Sequence, residues 1–141
     1  MLEIIAMNTE DALAIEYYGA NRIELVSGLT EGGLTPSYGL IEEVVKNTKI
    51  PVNIMVRPHA NGFIYSNLDL NIMLKDIQII KELGANGIVF GALNPNNTIN
   101  EDMLKKIINA SKGLDITFHR AFDETDIFKS INTLSNYNSI T

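Results

Sequence analysis

Short apolar runs alternate with longer stretches of helical period along this chain. Leu2–Ala6, Arg22–Val26, Pro51–Val56, Gly87–Phe90 and Asp115–Phe118 have the length and apolar content of buried strands. Between the third and fourth, Leu70, Met73, Leu74, Ile77, Ile80 and Leu83 hold one face at 3.6-residue spacing, which predicts a helix over Asn67–Leu83. Tyr38, Ile41, Val44 and Val45 predict a second helix, Met103, Leu104, Ile107 and Ile108 a fourth, and Ile127, Ile131 and Leu134 a fifth. The first, over Thr9–Tyr18, is the least periodic. Gly19 and Gly84 suit the position just past a helix end, and the joint Gly19-Ala20-Asn21-Arg22-Ile23 repeats as Gly84-Ala85-Asn86-Gly87-Ile88.

Alternating strands and helices imply a parallel sheet with helices packed on it. A unit of ~31 residues fits an eight-unit (β/α) barrel of ~250 residues. The 141 residues therefore hold roughly four to five units as one domain, and Ser139-Ile140-Thr141 falls where a sixth strand would start. The expected fold class is α/β: a partial TIM-like barrel, truncated before strand six. A five-stranded flavodoxin-like sheet fits the length too, but its strands, covered on both faces, should be apolar on both. Here one parity is repeatedly polar: Glu3 with Ile5 and Met7, Arg22 with Glu24 and Val26, Asn53 with Met55 and Arg57, and Thr117 with His119. That parity suits a barrel lumen. Glu3 or Glu24 could instead form an ion pair with Arg22 or Arg57.

Charge and composition narrow the classes. The net charge of −6 argues against nucleic acid or an acidic membrane surface as partner. There is no cysteine, so disulfides, thiolate metal sites and cysteine nucleophiles are excluded. No apolar run reaches the ~20 residues of a membrane span, and Met1-Leu2-Glu3-Ile4-Ile5 lacks the basic start of a secretory signal.

The candidate chemistry gathers at the strand ends: Glu24, Arg57, His119, Arg120 and Asp123. Arg57 precedes Pro58 and is held extended, so its guanidinium fork could meet a carboxylate or phosphate. His119 suits general acid–base work with Glu24 as its partner or a second base; the alternative is a histidine satisfied within the fold. Gly32 and Gly33, ahead of a helix start predicted at Thr35-Pro36, could offer N–H groups to an anion alongside Arg57, or simply form a turn. Residues 58–67, with Gly62, Phe63, Tyr65 and Ser66, read as a lid or a plain loop. Metal ligands are scarce: His59 and His119 show no ligand spacing, and Met7 and Met55 share the inward parity but also suit core packing.

Several strings in order along the chain resemble the CutC family: Arg22-Ile23-Glu24-Leu25, Glu31-Gly32-Gly33-Leu34-Thr35-Pro36-Ser37, Arg57-Pro58, Tyr65-Ser66, Gly91-Ala92-Leu93 and Thr117-Phe118-His119-Arg120-Ala121-Phe122-Asp123. The resemblance implies a TIM-like (β/α)8 barrel with a role in copper homeostasis, cytoplasmic and often homo-oligomeric, with copper ion as ligand. It places shared polar residues of the barrel mouth at Glu24, Glu31, Arg57, His119, Arg120 and Asp123. The chain departs from the family where Val26 replaces a frequent cysteine. It departs again in Arg57-Pro58-His59-Ala60-Asn61-Gly62-Phe63, which lacks the family's second arginine and its aspartate, and at Asn96-Asn97, where an Asp-Gly turn is usual. Three functional readings stand at this stage. The first is a copper homeostasis protein. The second is an enzyme with a Glu/Arg/His acid–base site for a small anionic substrate, phosphorylated or not. The third is an inactive truncated product, prone to pair with itself across open strand edges.

Overall fold

Every helix of the chain lies on one side of its sheet, and the strand order explains why. The computed structural model describes residues 1–140. Strands β1 (Glu3–Ala6), β2 (Arg22–Leu25), β3 (Val52–Met55), β4 (Gly87–Phe90) and β5 (Asp115–Phe118) lie side by side in sequence order, each parallel to the next. Helices α1 (Thr9–Tyr17), α2 (Tyr38–Asn47), α3 (Asn67–Glu82), α4 (Glu101–Ala110) and α5 (Ile127–Leu134) follow them in turn. A flavodoxin-like sheet has its second strand outside the first. The unbroken 1-2-3-4-5 order with right-handed crossovers instead sends each helix to the same face and leaves the other concave. This is a barrel wall that is not closed. Beyond β5, Ile140 forms a parallel bridge to Ile116.

The two faces carry the two parities. Ile23, Leu25, Ile54, Ile88, Phe90 and Ile116 point outward into one continuous core with Ile41, Val44, Met73, Ile77, Ile80, Leu104 and Ile107 of the helices. Val26, Met55 and Val89 point inward and form a separate small cluster. At the foot of the inward face Arg22 and Glu3 form an ion pair, the alternative left open for Glu3 in the sequence. Among the described residues the Glu24 side chain makes no hydrogen bond or ion pair.

Local signals account for most helix ends. Gly19 and Gly84 both adopt left-handed φ, +87° and +81°, just past α1 and α3. Ser66 and Asp69 form a reciprocal capping box on α3, with Ser66 Oγ accepting from the Asp69 N–H and Asp69 Oδ2 from the Ser66 N–H. Ser66→Ala should cost about 1 kcal/mol by chemical denaturation.

The start of α2 differs from the sequence expectation. Its cap is Ser37, which accepts from the Leu40 N–H, and Pro36 lies before the helix. Thr35 is occupied elsewhere: its hydroxyl accepts the Arg57 N–H at 2.9 Å and its own N–H donates to the Arg57 carbonyl at 3.0 Å. The residue that resembled a helix cap is a tie to the end of β3.

Among the described residues, no helix is long and apolar enough to cross a membrane.

Candidate functional site

The inward strand positions and the loops above them enclose a concavity of about 350 Å3. Ile5, Glu24, Val26, Met55, Val89, Thr117 and His119 come from all five strands, joined by Leu29, Gly32, Gly33, Phe63 and Arg120 from the loops. Its size and its apolar wall with a few polar groups are those of a small-molecule site.

Two of the sequence-predicted residues in its wall, His119 and Arg120, meet at Phe63, and Arg57 packs on the same ring from outside the lining. The Phe63 ring is buried, lies 5.0 Å from the His119 ring, and sits beneath the Arg57 and Arg120 guanidinium groups at 4.9 and 5.9 Å from its centroid. The Phe63 carbonyl accepts from the Leu93 N–H at 2.8 Å, which ties the 58–67 segment to the end of β4. This segment therefore lines the mouth.

Arg57 is 2% exposed and has no carboxylate partner. Its Nη1 donates to the Glu31 carbonyl at 2.7 Å and the Gly33 carbonyl at 3.0 Å, while its Nε is buried without a partner. The geometry around Gly32 and Gly33 differs from the anion cradle read in the sequence. The Gly32 N–H donates to the Leu29 carbonyl and the Gly33 N–H to the Gly28 carbonyl. The loop turns carbonyls toward Arg57 because its amides are already spent closing the 3-10 turn at Leu29–Glu31. Arg120 is the freer cation. It is exposed, unpaired, and stretched across Gly32 so closely that a side chain there would collide with it.

His119 is neutral. Burial, helped by the Arg57 and Arg120 charges, lowers its pKa to about 4. Its Nδ1 accepts the Ala121 N–H at 3.2 Å, which assigns the ring proton to Nε2. That Nε2–H is buried and unpartnered, as is the neighbouring Thr117 hydroxyl. Gly91 makes room for the ring: a Cβ there would lie 2.5 Å from Nδ1. Gly91→Ala should displace the imidazole and break the Ala121 bond, at about 1–3 kcal/mol. By NMR titration the ring pKa should then move up toward 6.5.

Glu24 lines the same concavity but belongs to its lower wall. Burial and the nearby Glu3 carboxylate raise its pKa, and Arg22 only partly offsets them. The groups that set its charge are thus Glu3 and Arg22, whereas Arg57 and Arg120 set that of His119. A raised native pKa means that ionisation costs stability. Glu24→Gln should therefore stabilise the fold at neutral pH, with the gain shrinking as pH falls through the raised native pKa toward 4.5 and absent below it. Equal denaturation midpoints at pH 7 would contradict this.

The other candidates stand apart. Asp123 lies exposed in the short 3-10 turn Arg120–Glu124, and its side chain has no hydrogen bond or ion pair among the described residues. Glu31 contributes its carbonyl, with its side chain exposed. Met7 is 44% exposed just past the end of the edge strand and outside the concavity, whereas Met55 packs its methyl group near Gly33 inside it. The residues present do not make a copper site: among the described residues no three His, Cys, Asp or Glu side chains converge, and the two methionines do not share a pocket.

Comparison with known proteins gives one consistent result. The model of the CutC family matches residues 1–138. A CutC family protein of Bacteroides fragilis is 44% identical over 126 residues, covering 87% of this chain and 49% of the relative. Copper homeostasis protein cutC homologs of Drosophila melanogaster and Homo sapiens are 44% and 42% identical, covering 89% and 87% of this chain and 48% and 45% of their own lengths. The chain thus spans about half the length of the curated relatives it matches. A crystal structure of CutC from Streptococcus agalactiae superposes with a TM-score of 0.89 at 35% identity, over 96% of this chain and 68% of that one. PhdJ, at 13% identity and a TM-score of 0.68 over 99% of this chain and 50% of that one, shares the fold alone.

Proposed function

Because the chain belongs to the CutC family, we propose that its part of the barrel mouth binds a small anionic molecule and holds acid–base groups against it. One observation carries the reading. In a chain of net charge −6, two guanidinium groups, one of them buried, stack on Phe63 with no carboxylate paired to either. A buried cation without a counter-charge is costly, and a bound anion relieves that cost. Arg120 supplies the accessible charge and the His119 Nε2–H a directed hydrogen bond. Arg57 adds field from behind the Phe63 ring while it holds the Leu29–Gly33 loop in place. Glu24, across the concavity, can hold or release a proton near its raised pKa.

Copper homeostasis appears in the names of the relatives, and copper binding is the competing ligand. Titration calorimetry with acetate and with copper(I), on the native chain and Arg120→Ala, separates the two. We expect acetate binding that Arg120→Ala weakens at least tenfold. Micromolar copper(I) binding that is lost on changing Met55 to leucine, with no anion binding, would overturn the reading.

The open edge has its own consequence. Ile4, Ile5 and Met7 of the β1 segment are 38%, 44% and 44% exposed, and Phe128 of α5 is 82% exposed. An unpaired strand edge with apolar residues on both faces templates association. The chain is expected to self-associate in sedimentation velocity, and a single monomeric species at micromolar concentration would contradict that.

A further inference from the structure

We infer that the anion carries an apolar body and a single-charge head: a small hydrophobic monocarboxylate rather than a phosphorylated sugar. The inference rests on the anion reading above and adds the shape and charge of the ligand.

The head group is limited by its donors. A phosphate dianion has three oxygens to satisfy and is usually met by several N–H groups at a helix start or glycine loop. Here the Gly32 and Gly33 amides are consumed within their own turn, and the start of α2 is capped by Ser37. Arg57 Nη1 is committed to two carbonyls. The lining residues with donors to spare are Arg120, exposed, and His119 and Thr117, whose Nε2–H and hydroxyl are buried and unpartnered. One guanidinium and one N–H match two carboxylate oxygens, and a single hydroxyl beside them falls short of the donor shell of a phosphate dianion.

The body is dictated by the wall. Below His119 the concavity is lined by Val26, Met55 and Val89, all buried, and is flanked by Leu29 and Ile5. A sugar would leave its hydroxyls without partners against these side chains, whereas an alkyl or aryl group is held by them. Glu24, lower down, is positioned to meet a single polar substituent on that body.

The test is an affinity series by titration calorimetry on the whole chain, using acetate, isovalerate, phenylacetate, inorganic phosphate and glycerol 1-phosphate. Affinity should rise at least tenfold from acetate to phenylacetate, and phenylacetate should outbind both phosphates. Leu29→Asn changes an exposed wall residue of a surface turn, so it should weaken phenylacetate several-fold more than acetate. Arg120→Ala should weaken both. If phosphate binds tightest and depends on Arg120, the anion site stands and the hydrophobic carboxylate is wrong. Equal affinities for acetate and phenylacetate have the same meaning. If none of the five binds, both the site and its ligand class are wrong.

Discussion

Arg57→Ala is expected to cost about 3 kcal/mol in chemical denaturation, the largest single-residue loss at the mouth. The substitution keeps the backbone ties between residue 57 and Thr35 and removes only the side chain. Two charge-assisted hydrogen bonds vanish, the Glu31 and Gly33 carbonyls lose their donor, and Phe63 loses the guanidinium stacked on it. The Leu29–Gly33 loop and the Phe63 segment are held by the same group, so both should gain hydrogen-exchange rate together. Arg57→Lys should recover little, because a point charge on a flexible stem cannot reproduce the planar fork across two carbonyls and a ring. A loss under 0.5 kcal/mol, or protection lost in only one of the two segments, would contradict this role.

The second large effect is in acid. His119 titrates near 4 in the fold against 6.5 in the unfolded chain. Between these values the unfolded chain takes up a proton that the native state refuses. Stability therefore falls as pH drops through this window, by at most about 1.4 kcal/mol per unit, and levels off below it. Glu24 works in the opposite direction: its raised pKa favours the fold below 4.5, and that contribution is lost as pH rises. The His119 contribution is isolated by comparison with His119→Gln, whose profile should lack the fall in stability toward acid and keep the opposing Glu24 contribution. Parallel profiles for the two proteins would show that His119 is not the buried neutral group described here.

Much of this architecture is legible from strand parity. Glu24, Met55, Thr117 and His119 alternate with apolar neighbours in the sequence, and in the fold that alternation separates the concave face from the helix-packed core. Parity is local and survives folding because a strand has only two faces. The loops are less legible for the converse reason. Thr35-Pro36 has the composition of a helix start, yet Thr35 answers to Arg57, 22 residues later. Gly32-Gly33 has the composition of an anion cradle, yet its carbonyls face Arg57, at 24 residues' distance in the case of Gly33. The place of Phe63 depends on Arg57, His119 and Arg120 at once, and no spacing within its own segment records those partners. The one available hint is an aromatic residue in a long loop between strand mouth and helix cap.

An NMR titration of the His119 ring, without and with saturating phenylacetate, tests the anion site most directly. The free ring should titrate near 4, and a carboxylate bound at Nε2 should raise that value, because an anion beside the ring favours its charged form. Arg120→Ala should remove the response. A ring that titrates near 6.5 and does not respond to phenylacetate would contradict the site.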